Sequence, residues 1–354
     1  MIVDFVLRNA RVHGFDELVD IAVTNGLVTA LGPNIICQSD SDEDLGGRVA
    51  FSGFVDSHVH LDKACILDRC SVCAGTLAEA VSQTAAAKAG FTEDDVYARA
   101  ARVVEKAILH GTTKMRSFVE VDPRAGMRSF NAICRIKTNY AFAIDIQICA
   151  FAQDGLTHEP ATLDFLDQAL ADGADLVGGC PYTDPDPALH INLIFDMAEK
   201  HDVDVDFHLD FDLDPTVSNL PTVLVETVAR GYQSRVAVGH MTQLSAMEPS
   251  RLKRVIAELD SAGIALVTLP STDLFLMGRE HDHNIPRGVA PAHLFADGGV
   301  ITAIATNNVL NPFTPYGDAS LARMANLYAN VSQLSRDHEI RTVFSMVSDA
   351  PAQI

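Results

Sequence analysis

From Val49 onward the chain repeats one pattern: an apolar run, a polar loop, then an amphipathic helix. Apolar strands read at 50–60, 112–121, 143–152, 175–180, 203–209, 235–240, 264–270 and 300–306. Helical periodicity fills the gaps, most clearly at 76–89, 93–110, 161–172, 188–201, 220–231, 249–262 and 319–336. Thr92 with Asp95 three residues on is a near capping box, and Gly111 closes the same helix. Eight strands alternating with helices predict a parallel (β/α)8 barrel. A doubly wound open sheet is the competing architecture, but no Gly-rich phosphate loop follows any strand. At 354 residues the chain has room for one barrel of roughly 250 residues and a small appendage.

The appendage reads at 1–49, ahead of a barrel at 50–354. Alternating apolar residues predict strands from Ile2 to Leu7, Val12 to Val19 and Ile21 to Leu31, with turns at His13-Gly14 and Asn25-Gly26. The run 38–47, with four acidic residues (Asp40, Asp42, Glu43 and Asp44), reads as a polar, acidic connector.

A net charge of −21 repels phosphate backbones and anionic membranes, which argues against nucleic acid or lipid as a partner. With 48% hydrophobic residues but no long unbroken apolar run, the composition is that of a soluble globular protein. The start, Met1-Ile2-Val3-Asp4-Phe5, has neither the basic nor the apolar region of a secretory signal. Seven scattered cysteines point to reduced thiols in a cytoplasm. Cys65, Cys70 and Cys73 cluster without the second pair that a structural zinc site needs.

Barrels carry their chemistry at the C-terminal ends of the strands. The first strand ends in His58-Val59-His60, and alternation along a strand turns both imidazoles to one face, ~7 Å apart. Two such rings can grip one divalent ion, although two surface histidines would show the same spacing. His208 ends the fifth strand and His240 the sixth, and Gln153 follows the third. Asp210 and Asp212 lie two and four residues past His208, on its face if the strand continues.

The run Gly53-Phe54-Val55-Asp56-Ser57-His58-Val59-His60-Leu61-Asp62-Lys63 strongly resembles the first barrel strand of the amidohydrolase superfamily, in its cytosine deaminase and N-isopropylammelide hydrolase branch. Gly111-Thr112-Thr113 with Arg116, the run Ala150-Phe151-Ala152-Gln153-Asp154-Gly155, and Pro315 with Gly317 extend the likeness over about residues 50–340. The loop Leu269–Arg279 also looks like the segment that closes over substrate in that branch, and His281 and His283 within it read as solvent-facing.

The resemblance implies one divalent ion, zinc or iron, held by His58, His60 and His208. It implies that His240 orients the attacking water, that Gln153 reads the ring of a small nitrogen heterocycle, and that Asn307 and Asn308 face substrate. It also implies a small β-sandwich half at the N-terminus, whose completing C-terminal strands are missing here, and a homo-oligomer. Three positions depart from the family pattern: Phe118 replaces a histidine, Phe211 a catalytic glutamate, and Asn307 a metal-binding aspartate. Asp210, Asp212 or another group then takes the proton, unless both aspartates are simply solvated loop acids. Two activities remain in view: hydrolysis of a C–N bond by deamination or dealkylation, and a catalytically impaired relative that binds a small ligand.

Overall fold

The computed structural model describes residues 1–71 and 74–354, so Cys73 lies outside the described residues. Two compact units result, Met1–Gly53 and Phe54–Ile354.

The first unit is a four-stranded sheet of β1 (Ile2–Ala10), β2 (Val19–Thr24), β3 (Leu27–Gly32) and β4 (Gln38–Asp44), ordered β3-β2-β1-β4. Asn25 (φ 53°) and Gly26 (φ 75°) turn β2 into β3, both in the left-handed region that a two-residue hairpin requires. Val3, Val6 and Ala22 form its small core.

Two expectations fail in this unit. Val12–Leu18 is turn and coil rather than strand: Phe15 N closes a turn onto Val12 O at 3.3 Å, and pairing resumes only at Val19. The acidic connector is instead β4, running parallel to β1 from Ile2↔Gln38 to Arg8↔Asp44. Its polar side chains are mostly exposed, so ladder hydrogen bonds rather than apolar alternation define it. Arg8 also grips Asp42 at 3.0 Å and Asp20 at 2.8 Å.

In the second unit eight parallel strands run in sequence order: β5 (Phe54–Val59), β6 (Thr112–Glu120), β7 (Asp145–Ala152), β8 (Leu176–Gly179), β9 (Asp204–Leu209), β10 (Val236–His240), β11 (Ile264–Thr268) and β12 (Thr302–Ile304). A bridge from Val59 to Asn307 joins the first strand to the end of the eighth. It is made by Asn307 N to His58 O and by His60 N to Asn307 O, both 2.8 Å. The eight-stranded parallel fold is thus as the sequence predicts.

Helices cover the strands with their apolar faces. Glu93–Leu109 buries Val96, Ala100, Val103, Val104 and Ala107, is capped by Thr92 Oγ1 accepting from Asp95 N at 3.2 Å, and ends before Gly111 at φ +86°. Helix Arg128–Asn139 carries no side-chain cap, and its signal is only Phe130, Ile133 and Ile136 at helical spacing. All three are buried, and burying one such side chain contributes ~1.5–3 kcal/mol. Among the described residues the cysteines are free thiols, and no helix is long and apolar enough to cross a membrane.

Candidate metal and catalytic site

His58 and His60 lie at the end of β5, and His208 lies at the end of β9. His208 Nε2 is 3.0 Å from His58 Nε2 and 3.0 Å from His60 Nε2. His58, His208 and His240 also bring ring nitrogens within 4.8 Å of one another. Gly239 makes room: a Cβ there would press within 3.1 Å of the His58 ring. All three rings of the first set are at most 2% exposed. Burial, followed by neighbouring positive charge or imidazole, holds each far below the ordinary histidine range, so they are neutral.

Hydrogen bonding alone does not explain three neutral rings arranged this way. His208 Nε2 offers one lone pair or one proton to two neighbours. The Nδ1 atoms of His58, His60 and His208 are all buried without a partner, whichever tautomer each ring takes. Buried polar groups are ordinarily paired. Nearby, Asn307 is 1% exposed at φ +58°, and neither its Oδ1 nor its Nδ2 has a partner. Lone pairs converging from neutral imidazoles, beside an unsatisfied amide, fit a divalent cation.

Aromatic rings wall the cluster. Phe118 lies 4.0 Å from the His58 ring, Phe151 4.3 Å from His208, and Phe211 4.0 Å from His240. Phe211 belongs to a buried apolar group with Leu276, Met277 and Phe313, so the end of helix Pro270–Leu276 roofs the histidines.

His240, at φ +68°, points its Nδ1 at Asp273 Oδ1, 2.6 Å away. Asp273 is fully buried, also accepts from Leu269 N at 3.2 Å, and has its carboxyl pushed up by burial against the opposing pull of His240. The sequence reading gave Asp273 no role.

Asp210 and Asp212 do not join this pair, which corrects their assignment as proton acceptors. β9 ends at Leu209, and Asp210 turns to φ +45°. Its carboxylate accepts from Ser218 Oγ at 2.5 Å and Asn219 N at 2.9 Å. Exposed Asp212 accepts from Gln243 Nε2 at 3.0 Å. Asn308 is likewise turned into a loop network, accepting from Asn311 Nδ2 at 2.7 Å, rather than placed with Asn307. His281 and His283 are exposed.

Gln153 follows β7 and is 5% exposed. Its Oε1 accepts from Lys63 Nζ at 2.9 Å, and its Nε2 donates to Cys180 Sγ at 3.3 Å. Lys63 Nζ also reaches Glu120 Oε1 at 2.7 Å, and Glu120 Oε2 accepts from Lys88 at 2.7 Å. Burial opposes the Glu120 charge, but Lys63 and Lys88 outweigh it and draw the carboxyl down to about 2.

The loops past β7 and β8 are tied by Asp184, which accepts from His190 Nδ1 at 2.5 Å, Leu156 N at 2.7 Å, Thr157 Oγ1 at 2.8 Å and His158 Nδ1 at 2.9 Å. Burial raises its pKa, but those donors outweigh burial and hold it well below the ordinary range. Asp184→Asn should therefore cost about 2–4 kcal/mol of stability. A depressed carboxyl stabilises the fold above its unfolded pKa of ~3.9, and that contribution fades as pH falls towards the folded value. Denaturant melts of both proteins should accordingly converge below pH ~4; a gap that persists or widens there contradicts the assignment.

A parallel barrel with imidazoles gathered where strand ends meet defines, with the comparisons that follow, a barrel hydrolase acting on carbon–nitrogen bonds. Residues 108–354 match the model of the amidohydrolase family, and the chain belongs to that family. It is 26% identical to the pterin deaminase of Rhizobium rhizogenes, across 99% of this chain and 83% of that protein. It is 23% identical to the N-isopropylammelide isopropyl amidohydrolase of Pseudomonas sp. (strain ADP), across 99% and 86%. Among solved structures, 5-methylcytosine deaminase from Klebsiella pneumoniae, liganded with 5-fluorocytosine, superposes at a TM-score of 0.92 with 23% identity, covering 98% of this chain and 86% of that one. N-isopropylammelide isopropylaminohydrolase from Burkholderia multivorans superposes at 0.86 with 25% identity, covering 99% and 86%.

Proposed function

We propose that this chain is a metal-dependent hydrolase that cuts a C–N bond of a small nitrogen heterocycle, releasing ammonia or an amine. The observation that carries the reading is His208 Nε2 lying 3.0 Å from both His58 Nε2 and His60 Nε2, with both side-chain polar atoms of Asn307 buried and unpartnered. These three rings would hold one zinc or iron ion, with the Asn307 amide beside them. When bound, such an ion supplies Lewis-acid polarisation and a water acidified towards ~7.

The chain's own residues supply the proton transfer. Asp273 accepts a hydrogen bond from His240 Nδ1–H, which leaves the Nε2 lone pair free to take the proton of the attacking water. The imidazolium so formed is stabilised by the same carboxylate, and returns the proton to the departing nitrogen. Gln153 reads the ring. The buried position of the histidines and the apolar group around Phe211 limit access of bulk water. Relatives named for pterin, cytosine and N-isopropylammelide support a heterocyclic substrate, and free thiols suit a cytoplasmic setting.

Metal analysis of the purified protein, alongside a screen of pterins, pyrimidines and triazines for ammonia or amine release, tests this. A protein that takes up no zinc or iron at micromolar ion would sink it. A ligand-binding relative without turnover is the second reading. It is favoured by Asn307, whose neutral amide stands where the family resemblance places an aspartate, and predicts metal and ligand uptake with no release.

Asn307→Asp discriminates further. A formal charge at the ion should tighten metal binding roughly 10-fold or more, since opposite charges 4 Å apart attract by ~4 kcal/mol near a protein surface. Hydrolysis should rise with it. Should metal affinity stay the same while an existing activity or ligand affinity disappears, the asparagine is a ligand-binding group in its own right.

A further inference from the structure

Accepting the heterocycle reading above, we infer that Lys63 fixes the polarity of Gln153, so that the site selects a ring bearing a carbonyl oxygen opposite residue 153. A glutamine amide can usually rotate to offer either an oxygen or an NH₂ group. An ammonium group has three donors and no acceptor. Lys63 Nζ is 2.9 Å from Gln153 Oε1, so the oxygen faces Lys63 and the reversed amide would set NH₂ against NH₃⁺.

Lys63 is itself held in place. It is 1% exposed, bonded to Glu120 Oε1 at 2.7 Å, and covered by the Phe313 ring at 4.7 Å. Glu120 is fixed in turn by Lys88, whose Nζ also meets Asp122 at 2.5 Å and Asp154 at 2.6 Å. With its oxygen committed, Gln153 has only N–H donors left to offer. One of them lies 3.3 Å from the Cys180 sulfur, a weak acceptor that a ring carbonyl oxygen outcompetes, and the amide also bonds the Tyr182 hydroxyl. Lys63 is thus a positioning residue that acts through Gln153.

The test is equilibrium binding to the zinc-loaded full chain. Cytosine is compared with diaminopyrimidine, and pterin with diaminopteridine; in each pair an amino group replaces the ring carbonyl. The carbonyl compound of at least one pair should bind roughly 10–100-fold tighter, the cost of leaving a buried donor facing a donor. Lys63→Met should shrink that ratio to within about 3-fold, and Lys63→Arg should preserve most of it. Gln153→Glu, which offers no donor, should abolish the carbonyl preference even if Lys63→Met fails to fold. A preference that survives both substitutions, or its absence from the native protein while both members of a pair bind, overturns the inference and leaves the heterocycle reading standing. Failure of all four compounds to bind overturns both. Independently of any ligand, a crystal structure near 1.2 Å that places Nε2 against Lys63 would also overturn it.

Discussion

His208→Ala is expected to reduce bound zinc or iron to background and to lower C–N hydrolysis by about 10³-fold or more. His208 Nε2 is the atom common to both short nitrogen contacts, so its loss removes the centre of the triad rather than an edge. Lewis-acid stabilisation is worth several kcal/mol, and each 1.36 kcal/mol is about tenfold in rate. The fold should survive, because the truncation removes no partnered hydrogen bond outside the histidines and costs only the cavity left beside Phe118 and Phe151. Metal content by mass spectrometry, with circular dichroism as a control, settles the matter. A folded variant that keeps both its metal and its turnover is incompatible with the proposed site.

Asp273→Asn should lower kcat by about 10²–10⁴-fold, the range for general acid–base groups, while metal content and KM stay near those of the native protein. An asparagine amide can turn its NH₂ towards His240 Nδ1 and drive the ring proton onto Nε2, which converts the proposed proton acceptor into a donor. His240→Ala should cost about the same, and the double variant little more than either, since the two groups act as one unit. A merely structural Asp273, serving only Leu269 N, would instead give additive losses and a lowered Tm. It would also leave the pH–rate profile unmoved, whereas removing a proton acceptor should strip the profile of its acid limb.

The barrel and the imidazoles were legible because both depend on local periodicity. Each strand announces itself in a short apolar run, and a histidine at the end of such a run has only one mouth to face. The proposed proton acceptor lies elsewhere than the sequence suggests, for a physical reason. Assigning Asp210 and Asp212 extended two-residue alternation beyond Leu209, whereas the backbone leaves the strand there and the carboxylates turn to Ser218 and Gln243. Asp273 could not be found that way. It enters the site from a helix 33 residues after its partner, and Pro270-Ser271-Thr272-Asp273 has the ordinary composition of a helix start. Lys63, Glu120 and Lys88 are separated by 57 and 32 residues, so no local pattern signals their pairing. The strand β4 escaped because a parallel ladder with β1 creates it, and its acidic side chains carry no trace of that pairing.

The bridge between Val59 and Asn307 has an evolutionary consequence. Main-chain atoms make that bridge, so position 307 is anchored whatever side chain it carries. Its left-handed backbone, however, admits few residues besides glycine, and asparagine and aspartate lead among them. The two differ by one base in the codon and by one unit of charge, with nearly identical shape. The charge beside the proposed metal site of this chain can thus be switched reversibly, in a single mutation that requires no change in the main-chain anchor.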